Sequence, residues 1–170
     1  MLRGILVRLF SLILLGFLAL AHSATAAAPS PCKPQSFEGD QFTICAFEKY
    51  DDLRIVTTGK DGTPLRGFSA LETELGDKAR LVRFAMNAGM FDDDGHPIGL
   101  LVEDYETIHK ISTTNGPGNF HMKPNGVFFE DLFGGVHVET TEQFIAKKEE
   151  AKWATQSGPM LVGDGKLHPM

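Results

Sequence analysis

Short runs of apolar, β-branched and aromatic residues, each closed off by Gly, Pro, Asn or Asp, recur along the second half of the chain. They are RLVRFAM (Arg80–Met86), PIGLLVED (Pro97–Asp104), NGVFFED (Asn125–Asp131) and GGVHVET (Gly134–Thr140). Runs of this length with turn formers at both ends predict strands and leave little room for long helices. DLFGG joins the last two as a short hairpin connection, with glycine available for positive φ. Upstream, QFTICAF (Gln41–Phe47) and LRIVTT (Leu53–Thr58) read the same way, with EKYDD as the turn between them.

Two segments carry a helical period instead. GKDGTP leads into the first: Thr63 as cap, Pro64 at the first position, Leu65, Phe68, Leu71 and Leu75 at helical spacing, and Gly76 as the stop. The second is predicted over Thr141–Ala154, with Thr140 and Gln143 spaced as a capping box and Phe144, Ile145, Lys148 and Ala151 on one face. No internal repeat is visible. Strands with two intervening helices give an α+β class, a mixed and largely antiparallel sheet in a single domain. At the far end, PMLV followed by GDGK reads as a strand and hairpin turn without a returning partner. The expectation is a chain cut short within its domain, its final strand an open edge.

Before that core is counted, Met1–Ala28 reads as a signal peptide. Arg3 and Arg8 lead, Leu9–Ala21 is an apolar run of about 13 residues, and SATAAA comes next. Such a run spans roughly 20 Å as a helix, short of the ~30 Å hydrocarbon core, so cleavage is expected and no stable membrane anchor remains. Both Ala24-Thr25-Ala26 and Ala26-Ala27-Ala28 fit the cleavage rule. PSPC lacks the residues expected before a lipid-modified Cys. The domain then divides into a linker with Cys over 29–40 and one folded unit over 41–170. Secreted or periplasmic localisation is the consequence, and in such compartments Cys32 and Cys45 are expected to pair as a disulfide, with two free thiols as the alternative. No metal is expected at these cysteines, because no second ligand pair accompanies them. The formal net charge is −6 and becomes more negative once Arg3 and Arg8 are removed. An acidic chain without a basic cluster repels phosphate backbones, so nucleic acid is excluded as a partner.

Four motifs then occur in order: NAGMF (Asn87–Phe91), PIGL (Pro97–Leu100), GPGNFHMKPNGVFF (Gly116–Phe129) and SGPMLV (Ser157–Val162). Together they resemble the phosphodiester glycosidase domain family, closest to its bacterial exported branch and related to the enzyme that uncovers N-acetylglucosamine-phosphodiester sugars. The resemblance covers Gln41–Met170. It implies a hydrolase acting between a sugar's anomeric carbon and a phosphodiester, with a glycan or sugar-phosphate as partner and no cofactor. Two departures stand out. Ala88-Gly89 replaces the Gly-Gly pair of the uncovering enzymes, and the family's later Asn-Gly-Val-Gly-like and Asp-Gly-Gly segments have no counterpart. If those segments supply part of the site, this product is expected to be inactive.

The residues can be asked what such chemistry needs. Ordinary glycosidases use two carboxyl groups because an alkoxide leaves badly without a proton. A phosphodiester leaves more readily, so the demand shifts to donors and cations that hold phosphate oxygens, plus one group that steadies the anomeric centre or activates water. Asn87, Asn119 and His121 are the catalytic candidates, and Gly89, Lys123, Asn125, Gly126 and Ser157 the substrate-binding ones. Asn, Gly and Pro are also the ordinary vocabulary of turns, and turn-building is the bland reading of each. Asp92, Asp93 and Asp94 resemble the start of a calcium loop but lack its later ligands, so a solvated turn is expected there. Trp153 is expected as a packing residue on the second helix. No Gly-x-Ser-x-Gly elbow supports a serine hydrolase. The competing functions are a glycan- or phosphate-binding module of the cell envelope without turnover, and a fragment that does not fold stably. Oligomeric state is unknown from sequence.

Overall fold

A computed structural model describes residues 30–48 and 52–168. The predicted signal peptide lies outside them, as does most of the EKYDD turn.

The chain opens with a hairpin of β1 (Cys32–Phe37) and β2 (Asp40–Cys45), turned at Glu38-Gly39 and locked where Cys32 and Cys45 face each other. The two form a disulfide, with Cα atoms 3.9 Å apart. The segment predicted as linker thus supplies a strand, and the partner of Gln41–Cys45 lies before it in the chain, not after. Among the described residues Leu53–Thr58 forms no ladder, and Thr58 is bridged to Pro64. That bridge holds Thr63 and Pro64 in a turn, so α1 starts four residues beyond Pro64, at Phe68, and runs to Leu75 with Gly67 as its cap. Gly76, at φ 53°, ends it as predicted. A 3-10 turn occupies Gly76–Leu81, and 82–86 makes no ladder with any of the described residues where the composition predicts a strand.

The body of the molecule is a five-stranded antiparallel sheet in the order β4-β3-β7-β5-β6. Its strands are β3 (Leu101–Glu103), β4 (Glu106–His109), β5 (Gly126–Asp131), β6 (Val136–Thr140) and β7 (Ala151–Ser157). A seven-residue helix, α2 (Thr141–Lys147), lies between β6 and β7, and its predicted capping box is present: the Thr140 hydroxyl accepts from the Gln143 N–H and the Gln143 side chain accepts from the Thr140 N–H. The helix stops seven residues short of its predicted end because Lys148 adopts a left-handed conformation, φ 54°, ψ 44°. Beyond that turn the chain becomes β7, the central strand.

Register decides which side chains share a face. Phe129, Ala154 and Val102 align across β5, β7 and β3, and with Val127, Leu100 and the Phe144 of α2 they form the core. The Phe129 and Phe144 rings meet edge to face at 5.0 Å. On the opposite face, Leu101, Thr155 and Trp153 are buried too. Trp153 packs its ring 4.9 Å from that of Phe128 and donates its N–H to Glu130 Oε2 at 2.6 Å, so it is a packing residue as expected but on a strand. The DLFGG hairpin joins β5 and β6 as predicted, with Gly134 at φ 77°. The last turn does find its returning partner: β8 (Val162–Gly163) pairs with β9 (Lys166–Leu167) across Asp164-Gly165. No helix among the described residues is long and apolar enough to cross a membrane.

Candidate functional site

One end of the sheet gathers the start of β5, the end of β6, the start of β3 and the end of β7. Gly126 sits there between two partners, Thr140 on β6 and Ser157 on β7. Antiparallel order puts the tight turns of β3–β4 and β5–β6 at the opposite end, leaving this one to the longer loops.

Two of those loops rest on the last residues of β7. The first carries Asn87. Its Gly89 adopts φ +76°, and a Cβ there would lie 2.2 Å from Thr155 Oγ1, so only glycine lets the loop lie against the strand. The second carries Asn119, in a 3-10 turn over Asn119–His121. Its carbonyls back onto Gly158, where a Cβ would lie 2.6 Å from Phe120 O and 2.9 Å from Asn119 O. Thr155 and Gly158 are three residues apart, roughly 10 Å along a strand. The structure therefore brings the NAG, NFH and SGP motifs to one sheet end.

Within that end the candidates divide by burial. Asn87, Asn119 and Lys123 are exposed. His121 is half-buried, edge-on to Phe120 at 5.1 Å. Its Nδ1 faces Thr114 O at 3.1 Å; a carbonyl only accepts, so in the neutral ring Nδ1 carries the proton and Nε2 keeps a free lone pair on the Gly116 side. Ser157 is half-buried beside Gly126. Asn125 is 0% exposed and committed inward: its Nδ2 donates to Phe120 O at 3.2 Å and its Oδ1 accepts from Thr141 Oγ1 at 2.7 Å. Its place is beneath the site, holding the turn that carries Asn119.

Two residues that the motifs do not include complete this support. Thr141 and Gln156 are buried, and Gln156 joins the Ser112 backbone to Thr141. The only sequence signal for them is their position, one residue beyond the Thr140 cap and one before Ser157. Beside the site lies a hollow of about 260 Å³ lined by Pro124, Thr140, Met160, Lys166 and Leu167 among others. Asp92, in the triple-Asp stretch, accepts from the N–H groups of Asp94 (3.0 Å) and His96 (2.8 Å), which ties that turn. The described residues contain no cluster of three or more His, Cys, Asp or Glu arranged to hold a metal ion.

The architecture is a small antiparallel α+β unit whose polar loops converge on the end of its central strand. The sequence profile of the phosphodiester glycosidase family matches residues 81–170, the stretch that builds this sheet and its loops, and the chain belongs to that family. It is also similar to the uncharacterized protein YigE of Escherichia coli (strain K12), at 34% identity over 90 residues that make up 52% of this chain and 34% of that protein. The match thus spans about a third of the relative's length. No solved structure matches.

Proposed function

We propose that the protein is an exported hydrolase of the phosphodiester glycosidase type, which cleaves between a sugar's anomeric carbon and a phosphodiester. The observation that supports this reading is that the NAG loop lies against Thr155 and the NFH turn against Gly158, three residues apart at and just past the end of β7, within a chain of that family. Asn87 and Asn119 offer exposed amide donors, Lys123 a cation, and the free Nε2 of His121 an acceptor for a water proton. Such a set suits a leaving group that is already anionic and needs holding more than protonating. In the proposed roles, Asn87 and Asn119 grip phosphodiester oxygens, Lys123 balances their charge, and His121 activates water. Gly89 and Gly126 permit close backbone approach, and Ser157 and Asn125 shape the floor. Export is supported by the Met1–Ala28 pattern and by the Cys32–Cys45 disulfide, a bond that persists in oxidising compartments.

Incubation of the purified chain with an N-acetylglucosamine-1-phosphodiester tests the reading: free sugar is released, and Asn119→Ala and Asn87→Ala each lower the rate at least tenfold, the scale of one lost hydrogen bond to charge. Saturable binding that survives both substitutions, with no sugar released across a panel of sugar-1-phosphodiesters, replaces it with an envelope glycan-binding module.

A further inference from the structure

Gln156 has no part in the reaction sketched above, yet it is 1% exposed and every hydrogen-bonding position of its amide is filled. Oε1 accepts from the N–H of Leu100 at 2.9 Å and of Ser112 at 3.0 Å; Nε2 donates to Ser112 O at 2.8 Å and to Thr141 Oγ1 at 2.9 Å. Two backbone N–H groups can only donate and a backbone carbonyl can only accept, so this amide cannot be turned around. Its orientation dictates the next one. Thr141, 0% exposed, has a single hydroxyl proton and already accepts from Gln156, so that proton goes to Asn125 Oδ1. Asn125 must then turn its carbonyl to Thr141 and its NH2 to Phe120 O. The remaining lone pair of Asn125 Oδ1 meets Lys123 Nζ at 3.4 Å. A reversed amide would present donors to that ammonium and repel it.

We propose that Gln156 is a positioning residue, which acts through Thr141 and Asn125 to hold the Lys123 ammonium at the sheet end where an anionic substrate oxygen binds. What Lys123 does there rests on the glycosidase reading; the relay that orients it does not. Leu100, Ser112 and Thr141 come from three separate segments, so one side chain ties those three together beneath the site and reaches Asn125 through Thr141. A carboxylate at position 156 has no proton to give. In Gln156→Glu the Thr141 hydroxyl turns toward the new oxygen, so Asn125, still held at Phe120 O, loses its second anchor and its hold on Lys123 loosens. Thr141→Val removes the link outright, whereas Thr141→Ser keeps it.

Side-chain NMR of Lys123 in the full chain, assigned by the peak lost in Lys123→Arg, reads the relay without turnover. In the wild type and Thr141→Ser, Lys123 is more restrained than the exposed Lys33. In Gln156→Glu and Thr141→Val it becomes as mobile as Lys33, while amide protection in β5 and β7 persists. Independently of any variant's folding, the Asn125 amide hydrogens of the wild type show contacts to Phe120 and none to the Lys123 side chain. Lys123 as mobile as Lys33 in the wild type, Lys123 still restrained in Thr141→Val, or Asn125 amide hydrogens on the Lys123 side would each overturn the relay and leave the hydrolysis assay standing. Where turnover is measured, Gln156→Glu raises KM about tenfold with a smaller change in kcat, and Thr141→Ser stays near wild type.

Discussion

Gly158 stands directly against the backbone of Asn119: a Cβ at position 158 would lie 2.9 Å from Asn119 O and 2.6 Å from Phe120 O. Both obstacles are main-chain atoms, so neither can swing aside as a flexible side chain would. Gly158→Ala is therefore expected to lift the 119–121 turn from the end of β7. Backbone shifts of Asn119, Phe120 and His121 would move while those of Phe129 in the core stay put. Unchanged shifts at Asn119 would refute the contact.

Gly89 faces two obstacles at once, a positive φ of +76° and Thr155 Oγ1 at 2.2 Å from its absent Cβ. Gly89→Ala should cost about 1–3 kcal/mol for the backbone conformation alone, with the collision in addition. Adding Thr155→Ala removes the collision but not the backbone strain. Thermal unfolding should accordingly show the double variant recovering only part of the loss, and full recovery would show that the backbone conformation costs nothing there.

The Cys32–Cys45 disulfide closes a short loop in a hairpin whose Phe37, Phe42 and Ile44 are all exposed. Isolated two-stranded hairpins are marginal in water, so the covalent link, worth about 3 kcal/mol in the chain-entropy model, is what keeps this one formed. Reduction should abolish hydrogen-exchange protection in β1 and β2. Protection in β5 and β7 should be unaffected, because their ladder partners lie elsewhere in the sheet.

Asp131 has its carboxyl held below the ordinary range, first by the hydrogen bond from His137 and then by the N–H groups of Gly135 and Phe133. A lowered folded-state pKa means that the stabilisation is complete above the unfolded value of about 4 and disappears as pH falls through the folded one. The β5–β6 hairpin should loosen on acidification below about pH 4. In Asp131→Asn that pH dependence should be flatter, which a melting-temperature series from pH 6 to pH 2 would register.

Elements whose chemistry is local are legible from sequence. The Thr140/Gln143 capping box, the Gly76 stop and the DLFGG hairpin each depend on a few neighbouring residues, and each is present. β7 reads as the tail of a helix for a physical reason. Trp153, Ala154, Thr155 and Gln156 are all buried, because a central strand is covered on both faces and shows no alternation to detect. Arg80–Met86 misleads in the opposite direction: it has the composition of a strand, but strands need partners, and composition does not say whether one is available. At the site, the motif residues mark the loops correctly as belonging to one place. The buried amide and hydroxyl beneath them are invisible in the sequence because Gln156 and Thr141 gain their meaning only from segments more than a dozen residues away.

The strand order carries a consequence for how the chain acquires its shape. The β3–β4 and β5–β6 hairpins share no ladder of their own; β7, made after both, lies between them. During synthesis the two hairpins emerge as separate pieces, and the sheet closes only when Ala151–Ser157 slots into the gap. Closure draws together segments about 50 residues apart, the kind of long-range pairing that slows folding.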